Sequence, residues 1–232
     1  MHEVFYCGEP GQQVFATYHP PSGMDRGEVA VICAPLFSEY MRTYLALREF
    51  ALAVASRGWH VVRFDYRGAG DSDLDLSEIR LDSLCADVAL VTEEAREIAG
   101  SRRVCAVGVR LGALIAAESH RRHRLFDRMA VWDPVTDGRE FVESFTANGV
   151  HGDGTVDFAG YAASVALRDD LASARLDLER CGIPVTGVRT RDGVTPALQY
   201  VSFDCVWQHR GEDLMTPQPV LEALLNAVVS QT

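Results

Sequence analysis

A chain of 232 residues, 47% of them hydrophobic and 24% charged, is long enough to bury the core of one α/β domain. Its 33 acidic residues outnumber its 22 Lys and Arg, and the net charge of −11 argues against nucleic acid as a partner. The amino terminus lacks the basic start and apolar run of a signal peptide, and no apolar run approaches the roughly 18 residues of a membrane span, so we expect a soluble, cytoplasmic protein.

Candidate strands and helices alternate along most of the chain, which predicts an α/β fold with a mostly parallel central sheet and helices on both faces. The candidate strands are short apolar runs at 14–18, 28–35, 60–66, 103–109, 128–134, 183–188 and 199–207. The candidate helices have apolar residues three and four positions apart, and they cover 41–57, 81–98, 112–120 and 220–229.

The alternation breaks at residues 138–181, which we call the cap segment. Residues 138–149 look helical, 150–161 are Gly-rich and aperiodic, and 164–180 form a second candidate helix with Ser164 as its N-cap. The segment has too few apolar residues to close a core alone, so we expect a small cap over the strand ends, with residues 1–137 and 182–232 forming the core domain.

Cysteine usage points to buried thiols and not to disulfides or a metal site. Three of the six cysteines lie in apolar strand-like runs and no pair has C-x-x-C spacing, which favours small buried side chains in a reducing compartment. The sequence has no Cys/His cluster and no H-E-x-x-H motif, so neither a metal nor another cofactor is expected. The cysteines are Cys7, Cys33, Cys85, Cys105, Cys181 and Cys205.

An unusual turn lies within residues 104–118, VCAVGVRLGALIAAE. A predicted strand leads through Gly108-Val109-Arg110-Leu111-Gly112, which we call the elbow, into a predicted helix of small residues. In serine hydrolases the central residue of such a strand-to-helix turn is the nucleophile. Here it is Arg110, which cannot attack a carbonyl carbon.

A second motif, D-x-R-G-x-G-x-S at residues 65–72, directly follows a predicted strand. Together with the strand VAVICAP before it and the elbow after it, this motif resembles the α/β-hydrolase family over about residues 10–135. The resemblance implies an α/β-hydrolase fold. The runs GVRLGALIAA, VWDPVTDGREF and VDFAGY are similar to the exosortase A system-associated hydrolases, a bacterial branch in which Arg takes the place of the serine.

The family resemblance implies an oxyanion hole beside the elbow. One donor would be the backbone N–H of Leu111, and the second would be that of Leu36 or Phe37, in the loop after the second predicted strand. Ser38, in the same loop, is the one hydroxyl worth testing as a nucleophile, although a loop hydroxyl more often bonds its own backbone. Ser72 lies in the second motif, and Cys33 and Cys105 lie inside strands.

Arg110 has two interpretations. A helix N-terminus carries about half a positive charge, so a guanidinium there costs about 0.3 to 1 kcal/mol unless an anion compensates it. In the first interpretation that anion is a carboxylate, phosphate or acyl oxygen of a ligand, which the planar guanidinium suits. In the second it is an acid of the protein itself, such as Asp133, Asp192 or Glu212.

The resemblance also implies a general base and its acid partner. A family histidine precedes the last helix, and His209 is the candidate for it. Asp192, after the strand at 183–188, occupies the usual place of the acid, while Asp133 occupies the other place that the fold uses. The interval from Pro184 to His209 is too short for the usual strand, helix and strand, so the carboxyl-terminal part is abbreviated.

Three functions fit these residues. The first is a hydrolase or acyl-transfer enzyme for a small ester or thioester, in which Arg110 holds an anionic oxygen and His209 steers an attacking water. The second is a lyase or cyclase, in which the guanidinium stabilises an enolate or carboxylate. The third is an inactive homologue that binds an anionic ligand or a partner. The expected partner is a small-molecule substrate or anionic ligand, and a homodimer is left open.

Overall fold

A computed structural model of the chain describes residues 2–145, 150–151, 153–190, 197–205, 207 and 214–230. Its central feature is an eight-stranded sheet with the strand order β1-β2-β4-β3-β5-β6-β9-β10. The pairs from β4 to β10 are parallel, whereas β2 is antiparallel to both β1 and β4. The large sheet contains these strands: β1 Glu3–Cys7, β2 Val14–His19, β3 Val29–Cys33, β4 His60–Phe64, β5 Val104–Val109, β6 Arg128–Trp132, β9 Val185–Arg189 and β10 Gln199–Tyr200.

Helices cover both faces of this sheet, as the sequence predicts. The side chains of α2 and α3 share one buried apolar cluster with the sheet, and those of α1 and α6 share a second cluster on the opposite face. The buried central strands β3 and β5 are apolar at nearly every position because both of their faces are covered. The helices are α1 Ser38–Ala55, α2 Leu81–Ala99, α3 Leu111–His123, α4 Gly138–Phe145, α5 Val165–Ser173 and α6 Gln218–Val229.

Two predictions about strands are corrected. Of the described residues in the predicted strand at 199–207, only Gln199–Tyr200 form a strand, because only these two pair with β9. The edge strand β1 is absent from the sequence prediction, since most of its side chains are exposed and it carries no continuous apolar run.

The cap segment contains a β-hairpin where the sequence predicts aperiodic chain. β7 (Thr155–Phe158) and β8 (Tyr161–Ser164) pair antiparallel around Ala159 and Gly160, which both have positive φ as a two-residue hairpin loop requires. Ser164 does cap the following helix, since its hydroxyl accepts a hydrogen bond of 2.9 Å from the N–H of Leu167. That helix ends at Ser173, earlier than predicted.

All six cysteines are free thiols, and five of them are buried, in agreement with the sequence analysis. None of the helices in the described ranges is both long and apolar enough to cross a bilayer.

Candidate functional site

Three neighbouring strands end at one edge of the sheet. β5 lies between β3 and β6, and because all three are parallel, the residues that follow them meet at this edge. The elbow spans the end of β5 and the start of α3, residues 34–37 follow β3 (the β3–α1 loop), and Asp133 follows β6. The fold therefore assembles the elbow, the candidate oxyanion loop and one candidate acid in one place.

Arg110 occupies a strained turn. Its φ of 52° and ψ of −121° lie in a region that side-chain-bearing residues avoid, and it is the residue immediately before α3. Backbone hydrogen bonds hold the turn: the N–H of Arg110 donates to Trp132 (3.0 Å), and its carbonyl accepts from Ala113 and Val135 (both 3.1 Å). The turn is thus fixed against both α3 and the residues after β6.

The two glycines of the elbow allow close packing. A Cβ on Gly112 would lie 2.1 Å from the carbonyl oxygen of Cys33, and one on Gly108 would lie 2.4 Å from the Cα of Ala113. Neither position has the positive φ that would itself require glycine. Gly108 is therefore needed because the start of α3 packs directly against the end of β5. Gly112 is needed because α3 also starts directly against β3 and the β3–α1 loop.

The guanidinium of Arg110 lies among three groups of the protein. Its Nε is 3.1 Å from Oε1 of Glu39, and its Nη1 donates to the backbone carbonyl of Asp133 at 3.0 Å. Its Cζ lies 5.0 Å from the ring centroid of Trp207, a cation–π distance. Arg110 is 7% exposed and Glu39 is fully buried, so this is a desolvated ion pair.

The acid that the structure describes beside Arg110 is Glu39, which the sequence analysis does not name. Asp133 offers its carbonyl and not its carboxylate, and Asp192 and Glu212 lie outside the described residues. Glu39 was missed because α1 begins at Ser38, three residues before the predicted start, which places Glu39 in the first turn of the helix. A carboxylate is favourable there because the helix N-terminus is partly positive.

One nitrogen of the guanidinium remains available. A guanidinium has five N–H donors, and the bonds found in the described part of the chain use Nε and Nη1 of Arg110 but not Nη2. Arg110 as a whole is 7% exposed, so a small part of its surface reaches solvent. A further acceptor can therefore reach this edge of the side chain.

The carboxylate of Asp133 accepts hydrogen bonds from two residues that follow β9 in the chain, Thr190 and Trp207. Oδ1 accepts from the N–H of Thr190 (2.6 Å), and Oδ2 accepts from the hydroxyl of Thr190 (2.5 Å) and from Nε1 of Trp207 (2.8 Å). Three donors thus occupy the carboxylate of Asp133. The bond from Nε1 also fixes the indole of Trp207, which lies against Arg110. His209 and Asp192, the other members of the candidate triad, lie outside the described residues.

The β3–α1 loop has the second strained backbone at this edge. Phe37 has φ 59° and ψ −142°, and both Leu36 and Phe37 are buried. The hydrogen bonds found among the described residues include none from the N–H of Phe37 or of Leu111. The N–H of Leu36, the third candidate oxyanion donor, likewise has no acceptor among the described residues. Ser38 is the first residue of α1 and is partly exposed.

The other candidate nucleophiles are poorly placed for attack. Burial raises the pKa of the Cys33 thiol to about 12 and that of Cys105 to about 11, so both stay protonated near neutral pH. The hydroxyl of Ser72 donates to the carbonyl of Asp65 at 2.6 Å and accepts from the N–H of Phe15 at 2.8 Å. Ser72 therefore braces its loop.

The D-x-R-G-x-G-x-S motif supports the site without entering it. Asp65 accepts a hydrogen bond from the N–H of Asp71 at 3.0 Å and one from the hydroxyl of Tyr40, the residue next to Glu39. A Cβ on Gly70 would lie 2.0 Å from Oδ2 of Asp65. The motif thus anchors the start of α1, which carries the partner of Arg110.

Sequence reasoning missed Glu39, Thr190 and Trp207. Glu39 stands one residue after Ser38 in the predicted oxyanion loop, and this position was the one available signal for it. Thr190 and Trp207 come to Asp133 from 57 and 74 residues away, so only the folded chain reveals them. Across the described ranges, no three His, Cys, Asp or Glu side chains lie close enough together to hold a metal ion.

Solved structures of α/β-hydrolases resemble the whole chain. A hydrolase from Agrobacterium vitis S4 is 15% identical with a TM-score of 0.66, and the match covers 99% of this chain and 98% of that one. Est1E from Butyrivibrio proteoclasticus is 13% identical with a TM-score of 0.70, and the match covers 98% of each chain. At these identities the likeness establishes the fold, which is the α/β-hydrolase fold that the sequence analysis expects.

A family model agrees with the structural likeness. The model for serine aminopeptidase, S33, matches residues 30–149, just over half of the chain. No curated protein of significantly similar sequence was found. The matched segment contains the β3–α1 loop, the D-x-R-G-x-G-x-S motif and the elbow with its Arg110. The chain therefore belongs to the serine aminopeptidase S33 family of α/β-hydrolases.

Proposed function

We propose that this chain is a hydrolase-fold binding protein whose elbow holds the carboxylate or acyl oxygen of a small molecule without forming an acyl-enzyme. The observation that carries the proposal is the state of the Arg110 guanidinium. Glu39 and the carbonyl of Asp133 fix one part of it, Trp207 lies against it, and Nη2 keeps a donor edge. A preorganised guanidinium of this kind binds an anionic oxygen at little entropic cost.

Nearby backbone donors support the same proposal. The N–H groups of Leu111 and Phe37 have no acceptor in the described part of the chain. Leu111 directly follows Arg110, and Phe37 lies in the loop after β3, the strand that pairs with β5. An anionic oxygen bound there would accept charge-assisted hydrogen bonds from Nη2 and from one or both amides. Glu39 offsets the charge of Arg110, so the ligand does not have to neutralise a bare buried cation.

Covalent catalysis is disfavoured by the same geometry. The elbow residue is not a nucleophile, the neighbouring thiols are buried and protonated, and the hydroxyl of Ser72 is engaged within its loop. Losing an activated serine usually removes orders of magnitude in rate. We therefore place binding before turnover.

Calorimetric titration with butyrate tests the proposal. The wild-type chain should bind one butyrate, and Arg110→Lys, which keeps the charge but lacks the planar fork, should bind it about 10-fold or more weakly. The exposed Arg57→Lys is the matched control and should bind as wild type does. The absence of butyrate binding, or equal binding in Arg110→Lys, would overturn the proposal.

A second candidate function is hydrolysis of a small ester or thioester by direct attack of water. The free N–H groups of Leu111 and Phe37 favour it, because they are the donors that would stabilise a developing oxyanion. Its base would be His209. Turnover of p-nitrophenyl butyrate that is lost in both Arg110→Lys and His209→Ala would establish this function in place of simple binding.

We also propose further properties of the protein. Membership of the hydrolase family supports a small-molecule ligand and a cytoplasmic location. The motif likeness supports association with an exosortase A system. The break in alternation at 138–181 supports a separate cap, and size-exclusion chromatography with light scattering would detect a homodimer.

A further inference from the structure

An aromatic cluster joins the cap segment to the β3–α1 loop. The ring of Phe37 stacks on Phe158 of the cap hairpin, with 4.6 Å between ring centroids and an angle of 3° between ring planes. Three further rings of the cap surround Phe37, with centroids 6.1 to 6.5 Å away: Phe141, Phe145 and Tyr161. Each of these four ring contacts between the cap and the core thus involves the same core side chain, that of Phe37.

The residue at the centre of the aromatic cluster, Phe37, also belongs to the polar part of the candidate site. Phe37 carries one of the N–H groups that have no acceptor in the described ranges, and it stands two residues before Glu39, the partner of Arg110. The Phe37 ring is therefore an apolar surface carried by the same loop as one of these donors. Of the five aromatic side chains in the cluster, only Tyr161 has a polar atom, so a charged or strongly polar ligand group beside them would lose hydration without replacement.

The conformation of Phe37 indicates that its ring is held in place by its surroundings. A non-glycine residue at φ 59° and ψ −142° costs about 1 to 3 kcal/mol and persists where neighbouring groups over-determine it. Phe37 is 4% exposed, and a parallel stack with Phe158 covers a face of its ring. The stack therefore covers a face of Phe37 that a ligand ring would need.

We propose that the ligand of the elbow is a carboxylate joined to a flat apolar body, an aryl-substituted acid, and that this body stacks on Phe37 in the place that Phe158 occupies here. The inference rests on the proposed anion-binding function of Arg110 and adds the class of ligand. The cap hairpin moves away from Phe37 when the ligand enters. Phe158 and the ligand ring then compete for the same face of Phe37.

The competition gives the two phenylalanines opposite effects. Phe37→Leu removes the stacking surface, so it should weaken binding of an aryl acid by about 2- to 10-fold more than it weakens binding of butyrate. Phe158→Leu removes the competitor, so it should strengthen binding of the aryl acid by a similar factor, because less free energy is needed to open the site. A merely structural role for both rings would weaken binding in both variants.

The test is calorimetric titration of the full chain with phenylacetate, cyclohexylacetate and butyrate. Phenylacetate and cyclohexylacetate have the same charge and similar size, so only the flat ring distinguishes them. We expect phenylacetate to bind tightest in wild type, to bind more weakly in Phe37→Leu and to bind more tightly in Phe158→Leu. Phe5→Leu, on the edge strand β1, is the control substitution, and circular dichroism checks the folding of every variant.

The outcomes separate the two proposals. If all three acids bind equally, or if both variants weaken phenylacetate, the inference about the flat apolar body is wrong while anion binding at Arg110 stands. If none of the acids binds, or if Arg110→Lys binds them all as wild type does, the proposed function itself is wrong. If Phe37→Leu or Phe158→Leu fails to fold, Phe37→Met and Phe158→Met replace them with the same expected directions.

Discussion

Glu39 and Arg110 form a buried ion pair that ties the first turn of α1 to the turn before α3, with 3.1 Å between Oε1 and Nε. The pair is the reason that an arginine can stand at a helix N-terminus, since the carboxylate offsets the charge that the helix disfavours. It also orients the guanidinium, so the partner residue is part of the candidate site and not merely part of the core.

A double-mutant cycle should show strong coupling between the two side chains. Arg110→Met leaves Glu39 buried without its cation, so we expect the free energy of unfolding to fall by about 3 to 5 kcal/mol. Arg110→Met combined with Glu39→Leu should recover most of that loss, because neither charge remains buried. Urea unfolding measures the cycle, and additive effects of the two substitutions would contradict the pair.

Gly112 should tolerate no side chain. Gly112→Ala places a Cβ 2.1 Å from a backbone oxygen that cannot move aside cheaply, so we expect a loss of about 1 to 3 kcal/mol in stability. Gly23→Ala is the matched control, because its nearest contact would be an ordinary 3.5 Å and no positive φ opposes it. Equal stability of the two variants would show that α3 is not packed as closely on β3 as the structure has it.

The wild-type chain should not react with a fluorophosphonate probe. The elbow carries no serine, and the candidate hydroxyl of Ser38 belongs to the first turn of α1, with no described base beside it. Intact-mass spectrometry after incubation should show the unmodified chain. An adduct that maps to Ser38 and disappears in Ser38→Ala would replace the binding proposal with a covalent mechanism.

His19 should make the protein less stable at acidic pH. Its burial, reinforced by Arg63, lowers the pKa from 6.5 to about 4. Because the unfolded chain takes up the proton first, this residue's contribution to stability falls as the pH drops from about 6.5 to about 4. Burial raises the pKa of Asp87 to about 6, so the contribution of Asp87 to stability changes with pH in the opposite sense. The effect of His19 is therefore measured as a difference in stability between the wild type and a His19 variant.

That difference is the stability of the wild type minus that of His19→Gln, followed by urea unfolding between pH 4 and pH 7. We expect it to become less favourable to the wild type as the pH falls. A constant difference would contradict the lowered pKa, as would a histidine resonance of His19 that titrates near its ordinary value in NMR spectra.

The sequence predicts most of the sheet because its strands are apolar runs buried on both faces, and such runs need no tertiary information to recognise. The elbow is predictable for a similar reason, since its two glycines and its flanking strand are consecutive. The partner of Arg110 is different: Glu39 lies 71 residues away, and its role depends on where α1 starts. The cap hairpin was missed because its short strands alternate weakly and one positive-φ position is Ala159 instead of a second glycine.

The most direct test of the account is a titration that observes Arg110 itself. Nitrogen NMR of the arginine side chains, with Arg110 assigned by comparison with Arg110→Lys, should follow the addition of butyrate to the wild-type chain. We predict that the Nη signals of Arg110 shift and saturate with the affinity measured by calorimetry, while its Nε signal, bonded to Glu39, changes little. Butyrate binding with unchanged Arg110 signals would contradict the claim that this arginine holds the ligand.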